Sequence, residues 1–454
     1  MLRTLPVALL VVAPLASVIG PSARISVAHA NPAGVVPAPD LAGGGLVRVE
    51  AEYEYEQDSA RIAREHVGPG VDPLGGVPSH RELDFHATRH TLTPKAELGL
   101  SHDFWLSFAA PIVLASSSEL DLAPGVTRAS SSTFQDGLLT GQGFDARDPG
   151  TPPAGNLVFR DINRTGVPEL RLGLGWAPMS QARDATKPTW KLGAELHLSV
   201  GKVMRFDRTD PGAQAGVATG VDELKLWTSF DRRFDYFEGW FEASYQQSIV
   251  NRDASLYRDP GFGSTNLDPG QNAGAKFGLE AYLVNDHETG NQVSIDVSGR
   301  MNAHFEGRGY TELWQVFALA GDRRFGGPLV LDADPTVDGV QALSHPGISN
   351  YESYLETAAK LAVRGKLGPH VTFAGFGELI WKTDHAISFA DAGVDLPTCP
   401  KGTPKCETET NDVINPGTRE VNPVSSAKID QVGHRFLSTE NFGFVVGVEA
   451  AVLF

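Results

Sequence analysis

The chain has 454 residues, 41% of them hydrophobic, and a formal net charge of -17 from 55 Asp and Glu against 38 Lys and Arg. That acidity excludes a nonspecific nucleic-acid binder, which needs basic surface to displace phosphate counterions. The length allows one large domain or two ordinary ones, and composition alone narrows the class no further.

At the N-terminus, Arg3, an apolar run over 5–20 and the small residues Ala28 to Ala30 follow the order of a secretory signal peptide. We read 1–30 as that signal, 31–44 as a periplasmic segment and 45–454 as the folded unit. The competing reading, an N-terminal anchor, is opposed by Pro6, Pro14 and the shortness of the apolar core. Beyond residue 30 no run of eighteen apolar residues occurs, so the sequence holds no membrane-spanning helix. An exported chain of this kind is either a secreted soluble protein or a barrel whose spans are too amphipathic for a hydropathy scan.

The first element is "VRVEAEYEYEQD", Val47 to Asp58. Val47, Val49, Ala51, Tyr53 and Tyr55 share one face; Arg48 and Glu50, Glu52, Glu54 and Glu56 share the other. A period of two belongs to a strand. Leu83 to Thr93 changes parity near Arg89 and His90, which predicts either a bulge or a strand end lying above the membrane. Alternation continues through Lys95 to Leu100, Phe104 to Leu114, Glu169 to Ala177, Trp190 to Val200, Glu223 to Phe230, Phe237 to Ile249, Lys276 to Leu283, Val293 to Phe305, Leu355 to Gly365, Val371 to Lys382 and Phe442 to Phe454.

Short connections, at 101–103, 179–188, 231–235, 285–290 and 366–370, alternate with long ones, at 57–81, 115–166, 202–220, 251–270, 306–352 and 383–439. Tight periplasmic turns and long extracellular loops are the layout of an all-β, transmembrane antiparallel β-barrel, here of twelve strands with both ends in the periplasm. An even count requires "YTELWQVFALAG", Tyr310 to Gly321, to be loop or helix and not a span. Strands survive in hydrocarbon only when the sheet closes, because each unpaired backbone group costs several kcal/mol there. A soluble sandwich is the competing reading of the alternation. The closing strand, ending on Phe454, resembles the signal read by the barrel-insertion machinery, an expected partner together with outer-membrane lipid and lipopolysaccharide. Trp176, Trp190, Phe230, Phe237, Trp381 and Phe454 are expected in interface girdles.

With the apolar face against lipid, the other face lines a lumen. Its expected residues are Arg48, Glu50, Glu52, Glu54, Lys95, Glu97, Glu169, Arg171, Lys191, Glu195, Glu223, Lys225, Glu242, Lys276, Glu280, Asp296, Arg300, Glu356, Lys360, Arg364, Glu378 and Glu449. Either these groups stay hydrated in a pore, or they pair and fill a rigid scaffold, which needs nearly complete pairing. The acidic excess at Glu50 to Glu56 favours water and repulsion of anions. Gly173, Gly175 and Gly193 on the same face mark lumen space, or a close approach of backbone to a neighbour.

Cys399 and Cys406 in "CPKGTPKC" read as a disulfide closing part of the last loop of an exported protein, with a thiolate metal site as the alternative. No catalytic, cofactor or metal set emerges. "SHD" at Ser101 to Asp103 is a turn whose consecutive residues cannot form a triad. A lipase embedded in the wall would need Ser244, Ser248, His197 or His304, all of which face inward. Acidic loop residues carry no calcium-ligand spacing.

The segments "AELGLSHDFWLSFAAPIV", "GVPELRLGLGWAP", "KLGAELHLSVG" and "GVDELKL" resemble bacterial outer-membrane proteins associated with phenol and aromatic degradation, over much of Lys95 to Tyr245. The resemblance implies a barrel that moves small organic compounds and carries over no catalytic residues. The sequence thus points to a non-enzymatic outer-membrane channel or passive transporter for small solutes. Its rival is a non-conducting barrel that anchors an envelope assembly through its loops.

Overall fold

The computed structural model describes residues 46–66, 77–100, 103–251, 269–286, 288–332, 342–389, 426, 428–431 and 433–454. The signal segment, the periplasmic segment and the Cys399–Cys406 pair lie outside the described residues.

Twelve antiparallel strands close into one barrel: β1 Val47–Glu65, β2 Ser79–Gly99, β3 in two pieces (Phe104–Ala109 and Ile112–Leu122), β4 Glu169–Met179, β5 Thr189–Ser199, β6 Val221–Phe234, β7 Phe237–Asn251, β8 Asn272–Asn285, β9 Gln292–His304, β10 Tyr354–Leu367, β11 Val371–Lys382 and β12 Phe436–Leu453. Closure is through β12 and β1, with Val49 opposite Val452 and Glu52 opposite Glu449. Val47 and Phe454 exchange both backbone bonds, at 3.2 and 2.8 Å, so the seam is paired to its end. β3 breaks at Ala110 and Pro111 because proline supplies no ladder N–H.

Leu106, Leu172, Leu174, Phe277, Leu279, Val297, Leu361 and Val448 stand exposed on the outer wall. In water such a surface is a liability; in a bilayer it is the surface that hydrocarbon covers. Its periplasmic rim carries stacked aromatic pairs, Phe104 on Trp176 and Trp190 on Phe230, with centroids 5.6 Å apart in each. Trp381 and Phe442 pack edge to face near the other rim. Among the described residues no helix is long and apolar enough to cross a membrane.

The parity change in β2 has a simple cause. Thr91, Thr93 and Lys95 face the interior, and Leu83, Phe85 and Ala87 continue on that same face without interruption. What changes is the surroundings: above the membrane the outer face meets water, while the inner face meets apolar side chains from the loops. β1 does the same, its inward acids giving way to buried Ala60 and Ile62. The strand end above the membrane is therefore the correct alternative for β2. The register shift opposite His90 and Thr91 arises from an extra residue, Leu114, in β3.

The loops build a cap over this end. Leu138, Phe144, Phe159, Leu313, Phe317, Leu329, Phe389 and Ile429 join the strand tops in one apolar core, with Phe206 packed against it. The helix Trp314–Ala320, inside the segment expected to be non-spanning, has all seven residues buried there.

Candidate functional site

Beneath the cap, the barrel encloses a cavity of about 630 Å³ that reaches Pro369 and His370 at the periplasmic turn. Alternation positions its lining. Glu50, Glu52, Glu54 and Glu56 of β1 face it, and Asp58 continues the row into a smaller space of about 250 Å³ against Trp314 and Gln315. Inward residues on a strand lie two apart, so five carboxylates span roughly 27 Å, close to the height of the apolar band.

Of the residues expected on the lumen face, Arg48, Lys95, Arg171, Glu195, Lys225, Glu242, Lys276, Arg300, Lys360, Arg364, Glu378 and Glu449 also border the cavity. Glu97, Lys191, Glu280 and Asp296 point inward but are buried in side-chain contacts. Lys191 sits 3.0 Å from Asp231, Arg364 sits 3.1 Å from Glu280, and Trp240 donates to Asp296 at 2.9 Å. Glu356 lies at the outer end, 2.6 Å from Arg300, which also holds Glu378 at 2.7 Å. Glu169 and Glu223 lie one inward step outside Arg171 and Lys225.

The interior therefore divides. Its periplasmic side around β5 to β10 is filled by paired charge, and the space along β1 stays open. Arg48 resolves the acidic seam between first and last strands, reaching Glu50 at 2.9 Å and Glu449 at 3.3 Å. Glu52, Glu54, Glu56 and Asp58 have no basic group within ion-pairing distance among the described residues. Keeping four such carboxylates charged requires water along the row, since a dry carboxyl holds its proton instead.

Sequence reasoning missed three inward tryptophans. Trp105 lies opposite Gly175, Trp227 opposite Gly193, and Trp240 opposite Gly278. In each pair the indole occupies the space that a Cβ on the glycine would need. Gly175 and Gly193 thus provide close backbone approach, the second of the two readings their sequence positions allowed. The signal was available: Trp227 follows Lys225 by two, and Trp240 precedes Glu242 by two, so both share the polar parity. Gly193→Val should destabilise the barrel by about 1–3 kcal/mol through overpacking against Trp227. Urea unfolding followed by indole fluorescence checks it; an unchanged midpoint would show the indole free to move aside.

Charged latches fix the cap to the wall. Arg64, wholly buried at the top of β1, donates to Asp136, to Ser132 Oγ at 2.9 Å and to the carbonyls of His434 and Lys428 at 3.0 and 2.6 Å. Glu82 of β2 accepts from Ser132 Oγ at 2.7 Å and Thr133 N at 2.8 Å. Burial raises the Asp136 carboxyl, but Arg64 and hydrogen bonds from Lys428 and His434 outweigh it and hold the group below the usual aspartate range. A depressed carboxylate stabilises the fold above its unfolded value, about 3.9, and loses that contribution as pH falls through its folded value. Acid should therefore loosen the cap, as read by proteolysis of the loops. Asp136→Asn should show the loosened cap already at neutral pH and little further response to acid.

No protein-family model matches the chain, and no curated protein matches it. Among solved structures, it is similar to an outer membrane channel from Pseudomonas putida F1 at 9% identity, covering 94% of this chain and 100% of that one with a TM-score of 0.38. A Pseudomonas aeruginosa FadL homologue gives 9% identity over 90% of each chain and a TM-score of 0.30. A mutant of the TodX monoaromatic hydrocarbon channel gives 9% identity, 90% and 91% coverage, and 0.30. These likenesses are too slight to carry a function to this chain.

Proposed function

We propose that this barrel is an outer-membrane channel for small hydrated solutes, favouring cations, with outer-membrane lipid around its apolar belt. The observation that carries the reading is the row Glu52, Glu54, Glu56 and Asp58, which has no ion-paired base among the described residues and runs along the cavity into the smaller space beneath the cap. A wall charged over the height of the bilayer suits water and polar solutes better than a bare hydrocarbon, so the organic compounds implied by the sequence resemblance would be those with a polar or cationic group. The cap makes the resting state narrow at the outer end. Replacing Glu52, Glu54 and Glu56 together with Gln should shift the reversal potential in a salt gradient toward zero. An unchanged reversal potential would remove the row from the conduction path.

The second reading is a non-conducting scaffold, favoured by the packed cap and the filled periplasmic side. It requires that water fill a blind cavity or that the carboxyls of the row hold their protons.

A further inference from the structure

Glu169, His197 and Glu223 come from three consecutive strands, β4, β5 and β6, and offer ligand atoms that all lie within 4.8 Å of one another. Register explains the meeting: His197 lies opposite Glu223 on one side and opposite Arg171 on the other, and Glu169 is the next inward residue along β4. The imidazole is nine-tenths buried, with its side chain 9% exposed. Its Nδ1 stands 3.8 Å from Glu169 Oε1, and its Nε2 makes a long hydrogen bond of 3.4 Å to Glu195 Oε2. Those separations exceed the usual 2.7–3.2 Å hydrogen bond. The Glu169 separation lies about half an ångström beyond the roughly 3.3 Å between two ligands of a tetrahedral ion with bonds of 2.0–2.1 Å.

We infer that Glu169, His197 and Glu223 bind one divalent first-row transition ion at the outer end of the barrel interior. Three donors from adjacent strands take one side of the ion and leave the interior side for water, an open-sited arrangement. One imidazole with two carboxylates suits zinc, cobalt or nickel better than calcium or magnesium, which take oxygen ligands. Gln246 orients one carboxylate, donating to Glu223 Oε2 at 2.8 Å, and Arg171 holds the other, donating to Glu169 Oε1 at 2.6 Å. Arg171 also competes with the ion for Glu169. The site stands whether or not the barrel conducts.

The test uses the full-length folded barrel, without a polyhistidine tag, in detergent. Co²⁺ absorption reports the ligand field, and displacement by Zn²⁺ reports affinity. One Co²⁺ per chain, displaced by one Zn²⁺, is expected. Loss of a partner outside the ligand shell already costs 10–100-fold in other metal sites. His197→Gln should therefore weaken Co²⁺ binding by at least about 100-fold, while the unboiled barrel keeps its compact electrophoretic mobility. Glu223→Gln should weaken it also, and Arg171→Gln should tighten it by freeing Glu169. Wild-type protein that binds no Co²⁺ at submillimolar concentration, or a folded His197→Gln barrel with undiminished binding, would overturn the site.

Discussion

Arg364→Met is expected to cost the barrel about 3–5 kcal/mol, the usual penalty for removing one member of a buried ion pair. Arg364 Nη1 lies 3.1 Å from Glu280 Oε2, and both side chains are almost completely screened from solvent. Glu280 is also held by Ser294 Oγ on β9. Deleting the cation leaves the buried Glu280 carboxylate without its counter-charge, and that desolvation, not the lost attraction, sets the size of the effect. The double variant Arg364→Met with Glu280→Gln should recover most of the loss, since an uncharged pair has little to desolvate. Urea titration of the four proteins of this cycle measures the coupling. A double variant as unstable as the single would show that Arg364 acts by packing its stem and not by neutralising Glu280.

Phe317→Asp should open the cap while sparing the barrel. Phe317 is wholly buried in the loop helix, with its ring 5.1 Å from Phe389 and 5.8 Å from Phe436. Truncation of such a ring costs about 3–5 kcal/mol, and an unpaired carboxylate there costs more. The strands below pair with one another and not with the helix, so the heat-resistant compact form should persist. Mean conductance should rise severalfold, and the loops should become sensitive to protease. A variant with wild-type conductance and newly cleavable loops would mean that the cap does not limit passage.

How much of this was legible in the sequence depended on the range of the interactions. The strands were, because alternation is local: β11 has the bounds read from the pattern, and the acid row of β1 faces inward as its parity requires. That Tyr310 to Gly321 does not span followed from the even strand count, which left loop or helix open; the structure makes Trp314–Ala320 a helix. The cap core did not, since its residues come from loops far apart in the chain and share no period. Ion partners were equally hidden: Arg48 meets Glu449 across 401 positions, a contact that exists only because the barrel closes there. The tryptophan and glycine pairs lay between these cases. Their parity was visible, but only register between strands puts Trp227 opposite Gly193. The Glu169, His197 and Glu223 cluster likewise needs three strands in register.

Whether the acid-lined cavity conducts is tested directly by planar-bilayer recording of the wild-type barrel beside Phe317→Asp. Cation-selective single-channel steps in the wild type, larger in the variant and less selective when Glu52, Glu54 and Glu56 are replaced by Gln, are the predicted result. A folded Phe317→Asp barrel with protease-sensitive loops and no current at any voltage would contradict the channel and leave the scaffold.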